Sequence, residues 1–351
     1  TTEATIFHKG ECVFDERWHG ASISHEEACQ DYGFDQALPI EALDEWIDRH
    51  LSQNCMVYLL EEDNLRGKLG ARPLKKLDTN VLSVELMQLR LRKDPGEIKS
   101  IEKACEITAM AHMKTMRANG QRGYLRESEI AATFHYHCMT GGGQGLAYET
   151  IAASASNACV LHYTKNNAQI KPGSCVLLDA GVSVDHYCAD VTRVWPVSGH
   201  FSAEQRAVYA LVLAASQSCI ASVRSGISMQ HLQKQSQEIL VDGLCELGIV
   251  DQKASKNQIA SAFYGHGVGH SIGLDVHDPS EKKEAFILDD GMVITIEPGL
   301  YLREGPLLKD KRFSGIGVRI EDNILVQKDG CKNLTASVPV QIKEIEDLVS
   351  G

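Results

Sequence analysis

LLDAGVSVDHYCADVTRVWPV, residues 177–197, is apolar enough to read as two paired strands, yet it contains Asp179 and Asp190. Ionised carboxylates are costly in such surroundings unless a partner offsets their desolvation. A turn at Ser183–His186 makes the two aspartates equidistant from its centre, facing each other on one side of a hairpin. Like charges directly opposite destabilise a sheet, and a cation between them reverses that. Either one aspartate is a solvated edge residue, or the pair holds a metal ion.

Three later stretches add weight to the metal. FYGHGVGHSIGLDVHD, residues 263–278, places His266, His270 and His277 among glycines that permit close backbone approach. The His266–His270 spacing matches the helical H-E-x-x-H zinc motif, but Gly267 stands in place of the glutamate. Gly267 and Gly269 also oppose a helix, so that motif is rejected. VITIEPGLY, residues 293–301, ends an apolar strand at Glu297, because Pro298-Gly299 stops it there. GVRIEDNILV, residues 317–326, sets Arg319 and Glu321 on one face of another strand. Four carboxylates and one imidazole carry too much negative charge for one cation and suit two divalent ions. Oxygen-rich ligands with one histidine favour Mn²⁺ over Zn²⁺, with Co²⁺ or Fe²⁺ as substitutes. Two ions roughly 3.5–4 Å apart can share and deprotonate a water and polarise a carbonyl. His266 and His277 are left to serve the substrate, and His162, in VLHYTKN, joins them or is a packed strand residue. Amide hydrolysis uses all of these parts.

Around this core the chain reads as a succession of blocks. A helix is predicted from Asp94, with Pro95 in its first turn, Glu97 completing a capping box, and Asn119-Gly120 as its end. A second helix covers Arg126–Met139, and a glycine-rich loop follows at 140–145. That loop lacks the Gly-Lys-Ser/Thr ending of a phosphate loop. Strands dominate Tyr148–Val197. Helices at Ser202–Val223 and Ser228–Leu247 precede the strands Val293–Glu297 and Gly317–Val326, and a last helix covers Val340–Val349. Blocks of helices and of strands indicate an α+β domain. The character changes near Arg90–Asp94, so residues 1–88 read as a small α/β amino-terminal domain, with its basic loop at Arg66–Lys76, and 89–351 as the main domain.

The 351 residues carry a net charge of −12, and residues 1–63 hold fifteen Asp/Glu against three Lys/Arg. That balance argues against nucleic acid and anionic membranes as partners. No apolar run approaches the length of a membrane span. Eleven cysteines, scattered and without C-x-x-C, read as reduced thiols of a cytoplasmic protein. The chain begins without Met.

LLDAG, ADVTR, GHGVGH, LDVHD, TIEPGLY and GVRIEDN together resemble the pita-bread metallopeptidases, and within them the bacterial aminopeptidase P branch. RKDPGEIKSIEKACEITAMAHMKTM, VLHYTKN and NLTASVPVQIKEIEDL extend the likeness over residues 80–349. The resemblance implies a pita-bread catalytic domain with five metal ligands: Asp179, Asp190, His270, Glu297 and Glu321. Asp179 would hold one ion, His270 and Glu297 would complete the other ion's set, and Asp190 and Glu321 would bridge the two. It implies substrate-binding and proton-handling roles for His162, His266 and His277, and places Tyr301 and Arg319 at the rim and behind the ligands. The activity implied is release of the first residue from peptides with proline in second position, by a hydroxide shared between two Mn²⁺ ions. The tertiary Xaa-Pro amide has no N–H for a general peptidase to grip. The alternatives are a prolidase acting on dipeptides and a pita-bread module that binds partners without hydrolysis. All five ligands are present, which opposes the latter. The resemblance further implies a homo-oligomer, dimer or tetramer. The amino-terminal domain is shorter than the family's and reads as truncated, and the rim segment Asp278–Phe286 is short, offering Lys282 and Lys283.

Overall fold

The computed structural model describes residues 3–10, 13–52, 57–58, 60, 77–78, 80–280 and 286–350. The basic stretch Arg66–Lys76, together with Lys282 and Lys283, lies outside them. Two compact units divide the chain, Thr1–Leu86 and Met87–Gly351.

In the first unit, β1 (Thr5–His8) and β2 (Gln36–Pro39) run parallel. Parallel neighbours need a crossover, here helices α1 (Val13–His19) and α2 (His25–Tyr32). Ser24 and Glu27 cap α2 reciprocally, and Gly33 closes it in the left-handed region at φ 71°. Helix α3 (Leu43–Ser52) sets Trp46 edge-on to Phe7 at 5.5 Å between ring centres. A second parallel pair joins β3 (Val57–Tyr58) to β4 (Leu77–Asp78). Helix α4 (Val81–Leu91) carries the chain across the division at Leu86–Met87.

In the second unit, α5 (Pro95–Arg122) starts where its capping signals place it. The Asp94 carboxylate accepts from the N–H of Gly96 and Glu97 at 2.7 and 2.9 Å, and Glu97 accepts from the Asp94 N–H at 2.6 Å. The helix runs through Asn119-Gly120 and ends instead at Gly123. Asn119 is held within it by a tertiary contact, its amide donating to the Val197 carbonyl at 3.1 Å. Helices α6 (Glu127–Thr140), α7 (Ala203–Ser222) and α8 (Met229–Glu246) keep within two residues of expectation. An unforeseen helix α9 (Lys256–Phe263) is opened by a Ser255/Gln258 capping box. Helix α10 (Ile342–Ser350) packs on α5.

Strands β5 (Gly145–Leu146), β6 (Ile151–Ser154), β7 (Cys175–Asp179), β8 (Val182–Val184), β9 (Tyr187–Cys188) and β10 (Thr192–Pro196) make two antiparallel sheets, ordered β5-β8-β9 and β10-β7-β6. The expected strand content stops at Ser154 and resumes at Cys175; a 3₁₀ turn (Ala155–Cys159) and a loop lie between. Strands β11 (Val293–Ile296), β12 (Gly299–Leu302), β13 (Ile316–Arg319), β14 (Asp322–Gln327) and β15 (Gly330–Asn333) form β11-β14-β15 and β12-β13. The expected strand 317–326 is thus broken at Ile320–Glu321. There the Glu321 N–H bonds to the Thr192 carbonyl at 3.2 Å, joining the two halves of the unit.

The hairpin register differs from the sequence reading. Asp185 and His186 both take positive φ, 50° and 67°, and make a two-residue turn of the hairpin type. The turn centre therefore falls one residue later, and Asp179 faces Thr192, not Asp190. Asp190 lies diagonally on the same face, one step nearer the turn. Gly181 stands across from it, where a Cβ would come 1.8 Å from the Ala189 carbonyl oxygen.

Candidate metal centre

The five expected ligands come from five short segments that converge on one cavity of ≈ 650 Å³. Asp179 ends β7, Asp190 precedes β10, Glu297 follows β11 and Glu321 occupies the break between β13 and β14. His270 comes from the glycine loop, which lies along β11. The Thr295 N–H donates to the His270 carbonyl and the Glu297 N–H to the Val268 carbonyl, both at 2.8 Å. Gly269 makes this possible, since a Cβ there would meet the Thr295 oxygen at 1.9 Å.

Asp190, His270 and Glu321 offer ligand atoms all within 4.8 Å of one another. His270 Nε2 lies 3.6 Å from both Asp190 Oδ2 and Glu297 Oε1. Its Nδ1 lies 3.0 Å from the Ser271 carbonyl oxygen. Donating there would fix the tautomer that leaves Nε2 free as a ligand. Asp179 stands to one side. It accepts from the Arg319 guanidinium and, at 2.5 Å, from the Tyr148 hydroxyl, which also contacts Asp190. Thr192 donates to Glu321 Oε2 at 2.7 Å and accepts from Arg319 Nε at 3.1 Å.

Burial first, and then the charge of Asp179, push the Asp190 carboxyl well above the usual range. Burial and then Asp190 do the same to Glu321. Among the described residues lining the cavity, Arg319 is the sole lysine or arginine, and it is already paired with Asp179. A crowd of buried carboxylates with one guanidinium is short of positive charge. Together with an imidazole nitrogen aimed inward, it fits divalent cations.

The histidines divide into two kinds. Arg319 Nη1 donates to the Tyr301 hydroxyl at 2.9 Å, and that hydroxyl lies 2.8 Å from His266 Nε2. With the Tyr301 hydroxyl donating to Nε2, His266 Nδ1 carries the proton and donates to the Gly267 carbonyl at 2.7 Å. Both nitrogens of His266 are then occupied. His162 and His277 also line the cavity, and both are exposed. The ring of His277 stands edge-on to His270, 4.4 Å between centres. His162 lies in the loop between β6 and β7, not in a strand. Tyr301 is buried beneath the wall, not on the rim, because Arg319 and His266 draw its hydroxyl inward. Sequence reasoning passed over Tyr148 and Thr192, whose neutral hydroxyls carry no charge pattern.

The chain is similar to known proteins over nearly its whole length. A family model described as metallopeptidase family M24 matches residues 99–328. The Xaa-Pro aminopeptidase of Haemophilus influenzae is 36% identical over 360 residues, spanning 99% of this chain and 82% of that protein. The mitochondrial intermediate cleaving peptidase 55 of Arabidopsis thaliana is 35% identical, spanning 98% and 70%. Among solved structures, Pseudomonas aeruginosa aminopeptidase PepP superposes with a TM-score of 0.88 at 32% identity, over 100% of this chain and 84% of that one. Escherichia coli aminopeptidase P in complex with substrate gives 0.87 at 31%, over 98% and 81%.

Proposed function

The chain belongs to metallopeptidase family M24, and from its likeness to the Xaa-Pro aminopeptidases of that family we infer that it is one, a metal-dependent hydrolase that removes the first residue from peptides with proline in second position. The observation that carries this reading is the convergence of four carboxylates and His270 in one cavity with three further histidines. We assign Asp179, Asp190, His270, Glu297 and Glu321 as ligands of two divalent ions, with Mn²⁺ favoured by the oxygen-rich set. When bound, such ions supply Lewis acidity to the scissile carbonyl and raise the acidity of a water.

The chain's own residues do the rest. Arg319 neutralises Asp179 and orients Tyr301, which holds the His266 ring as a fixed wall of the cavity. A wall suits proline, whose ring needs contact and whose nitrogen offers no N–H. His162 and His277, which make no hydrogen bond with the described residues, are the groups free to donate to the substrate carbonyls and to move a proton. Residues 1–88 are assigned as an amino-terminal domain and 89–351 as the metallopeptidase domain. A homo-oligomer in the cytoplasm is the setting we favour. Among the described residues no helix is long and apolar enough to cross a membrane.

The test is cleavage of an Ala-Pro-Ala peptide by metal-stripped and Mn²⁺-loaded protein. Release of alanine only after loading supports the reading, and equal rates sink it. Strong preference for free Ala-Pro would instead identify a prolidase.

A further inference from the structure

Six carboxylates line the cavity: Glu149, Asp179, Asp190, Asp275, Glu297 and Glu321. Four of them form the ligand cluster. Asp275 is taken by Arg90, whose Nη2 donates to it at 2.6 Å. Glu149 remains. It is exposed to the cavity and makes no hydrogen bond or ion pair with any described residue. Arg319, the lining cation, is engaged with Asp179, Tyr301 and Thr192 and cannot serve it.

We propose that Glu149 selects peptides whose first residue carries a cationic side chain, arginine above all. The proposal rests on the Xaa-Pro aminopeptidase reading and adds a substrate class to it. Glu149 follows Tyr148, whose hydroxyl contacts Asp179 and Asp190. Ile151 pairs with the ligand candidate Asp179 across β6 and β7, and Glu149, two residues or about 7 Å of chain before it, lines the same cavity as the cluster. An aminopeptidase brings the scissile carbonyl to that cluster. One residue then lies on its amino side, and the remainder of the peptide runs away from it. The side chain of that first residue is the one that comes within reach of Glu149.

The α-ammonium group is common to every peptide and does not discriminate. A side-chain charge does. A solvated carboxylate attracts a guanidinium, with its planar donor fork, more effectively than an ammonium, and it repels an acidic first residue. The contact is open to water, so the preference is modest, about 2–5-fold in kcat/KM.

Citrulline supplies the control, being close to arginine in shape but uncharged. The experiment compares Arg-Pro-Ala with citrulline-Pro-Ala on Mn²⁺-loaded enzyme and on its Glu149→Gln variant. Each protein's ratio cancels differences in folding and metal loading. We expect the wild type to favour arginine by that factor, high salt to shrink the preference, and Glu149→Gln to bring the ratio near one. A ratio near one in the wild type, or one unchanged by the substitution, overturns the proposal. So does a charge preference found only downstream, between Ala-Pro-Arg and Ala-Pro-citrulline. If neither peptide is cleaved by loaded wild type, the aminopeptidase reading falls first, and the proposal with it.

Discussion

Arg193 and Asp322 form an ion pair at 2.7 Å inside the core, with side-chain exposures of 0% and 3%. The same guanidinium donates to the Glu321 carbonyl at 2.7 Å and to the Thr192 carbonyl at 2.9 Å. The pair therefore fixes the break in the sheet from which Glu321 projects. Removing one partner leaves a buried charge uncompensated, at a cost of about 3–5 kcal/mol. Asp322→Ala is expected to lower the thermal midpoint sharply. An Arg193→Met, Asp322→Leu double variant should recover little of the loss, because the carbonyls of Glu321, Val338 and Pro339 lose their buried donor as well. A scan of all three proteins in one buffer checks this.

Asn323, the next residue, clamps the backbone of Asp190. Its Oδ1 accepts from the Asp190 N–H at 3.0 Å, and its Nδ2 donates to the Asp190 carbonyl at 2.6 Å. Supports of this kind orient ligands without touching the metal, and their loss typically weakens binding about 10–100-fold. Asn323→Ala should lower Mn²⁺ affinity by that factor. Asp190→Asn should abolish both loading and cleavage. Titration with the metal, followed by calorimetry, separates the two.

The four candidate carboxylates were legible because each is a charge in or at the end of an apolar run, which demands a partner. The partners themselves were not. The turn is made by Asp185 and His186 at positive φ, where no glycine marks it, and this hid the register that sets Asp179 opposite Thr192. Gly269 was read as permitting a close backbone approach, but what it approaches, the Thr295 carbonyl oxygen, shows only in the fold. Tyr148 follows a glycine loop as an ordinary aromatic residue. Only the fold shows its hydroxyl on two aspartates.

His112 on α5 bonds through Nε2 to the Ala180 carbonyl oxygen at 3.0 Å, and its buried Nδ1 has no hydrogen-bond partner among the described residues. Burial, foremost, lowers its pKa from 6.5 to about 4. Above pH 6.5 the ring is neutral folded and unfolded, and the shift contributes nothing. Between 6.5 and about 4 the unfolded chain takes up the proton and the folded one does not, so stability falls with falling pH. The loss approaches about 3 kcal/mol at its limit. His112→Gln should be less stable at pH 7, yet lose less between pH 7 and pH 5. Parallel slopes for the two proteins in denaturant titrations would rule this out.

Glu127 stands in the first turn of α6, where an acidic residue suits the helix dipole. In the fold it is fully buried and accepts five hydrogen bonds. Oε1 takes the Ser154 N–H and hydroxyl and the Asn157 amide at 2.7, 2.8 and 2.9 Å. Oε2 takes the Tyr163 hydroxyl and the Ala168 N–H at 2.8 and 2.9 Å. These partners bracket the loop that carries His162. Burial alone would raise the carboxyl's pKa, but the hydrogen bonds outweigh it and hold the pKa below the ordinary glutamate value. Its contribution is thus present above the unfolded pKa and lost as pH falls through the folded one. Glu127→Gln sets an NH₂ group against donors whichever way the amide turns, and each donor left unpaired costs about 1–3 kcal/mol. Lower stability at pH 7 should come with a higher KM for Xaa-Pro peptides, since His162 loses its support. Metal content should stay near that of the wild type, because no ligand bonds to Glu127. Metal loss without a change in KM would place the effect at the ligand cluster and not at the loop. Steady-state kinetics on the variant, with metal analysis of the same sample, decides between them.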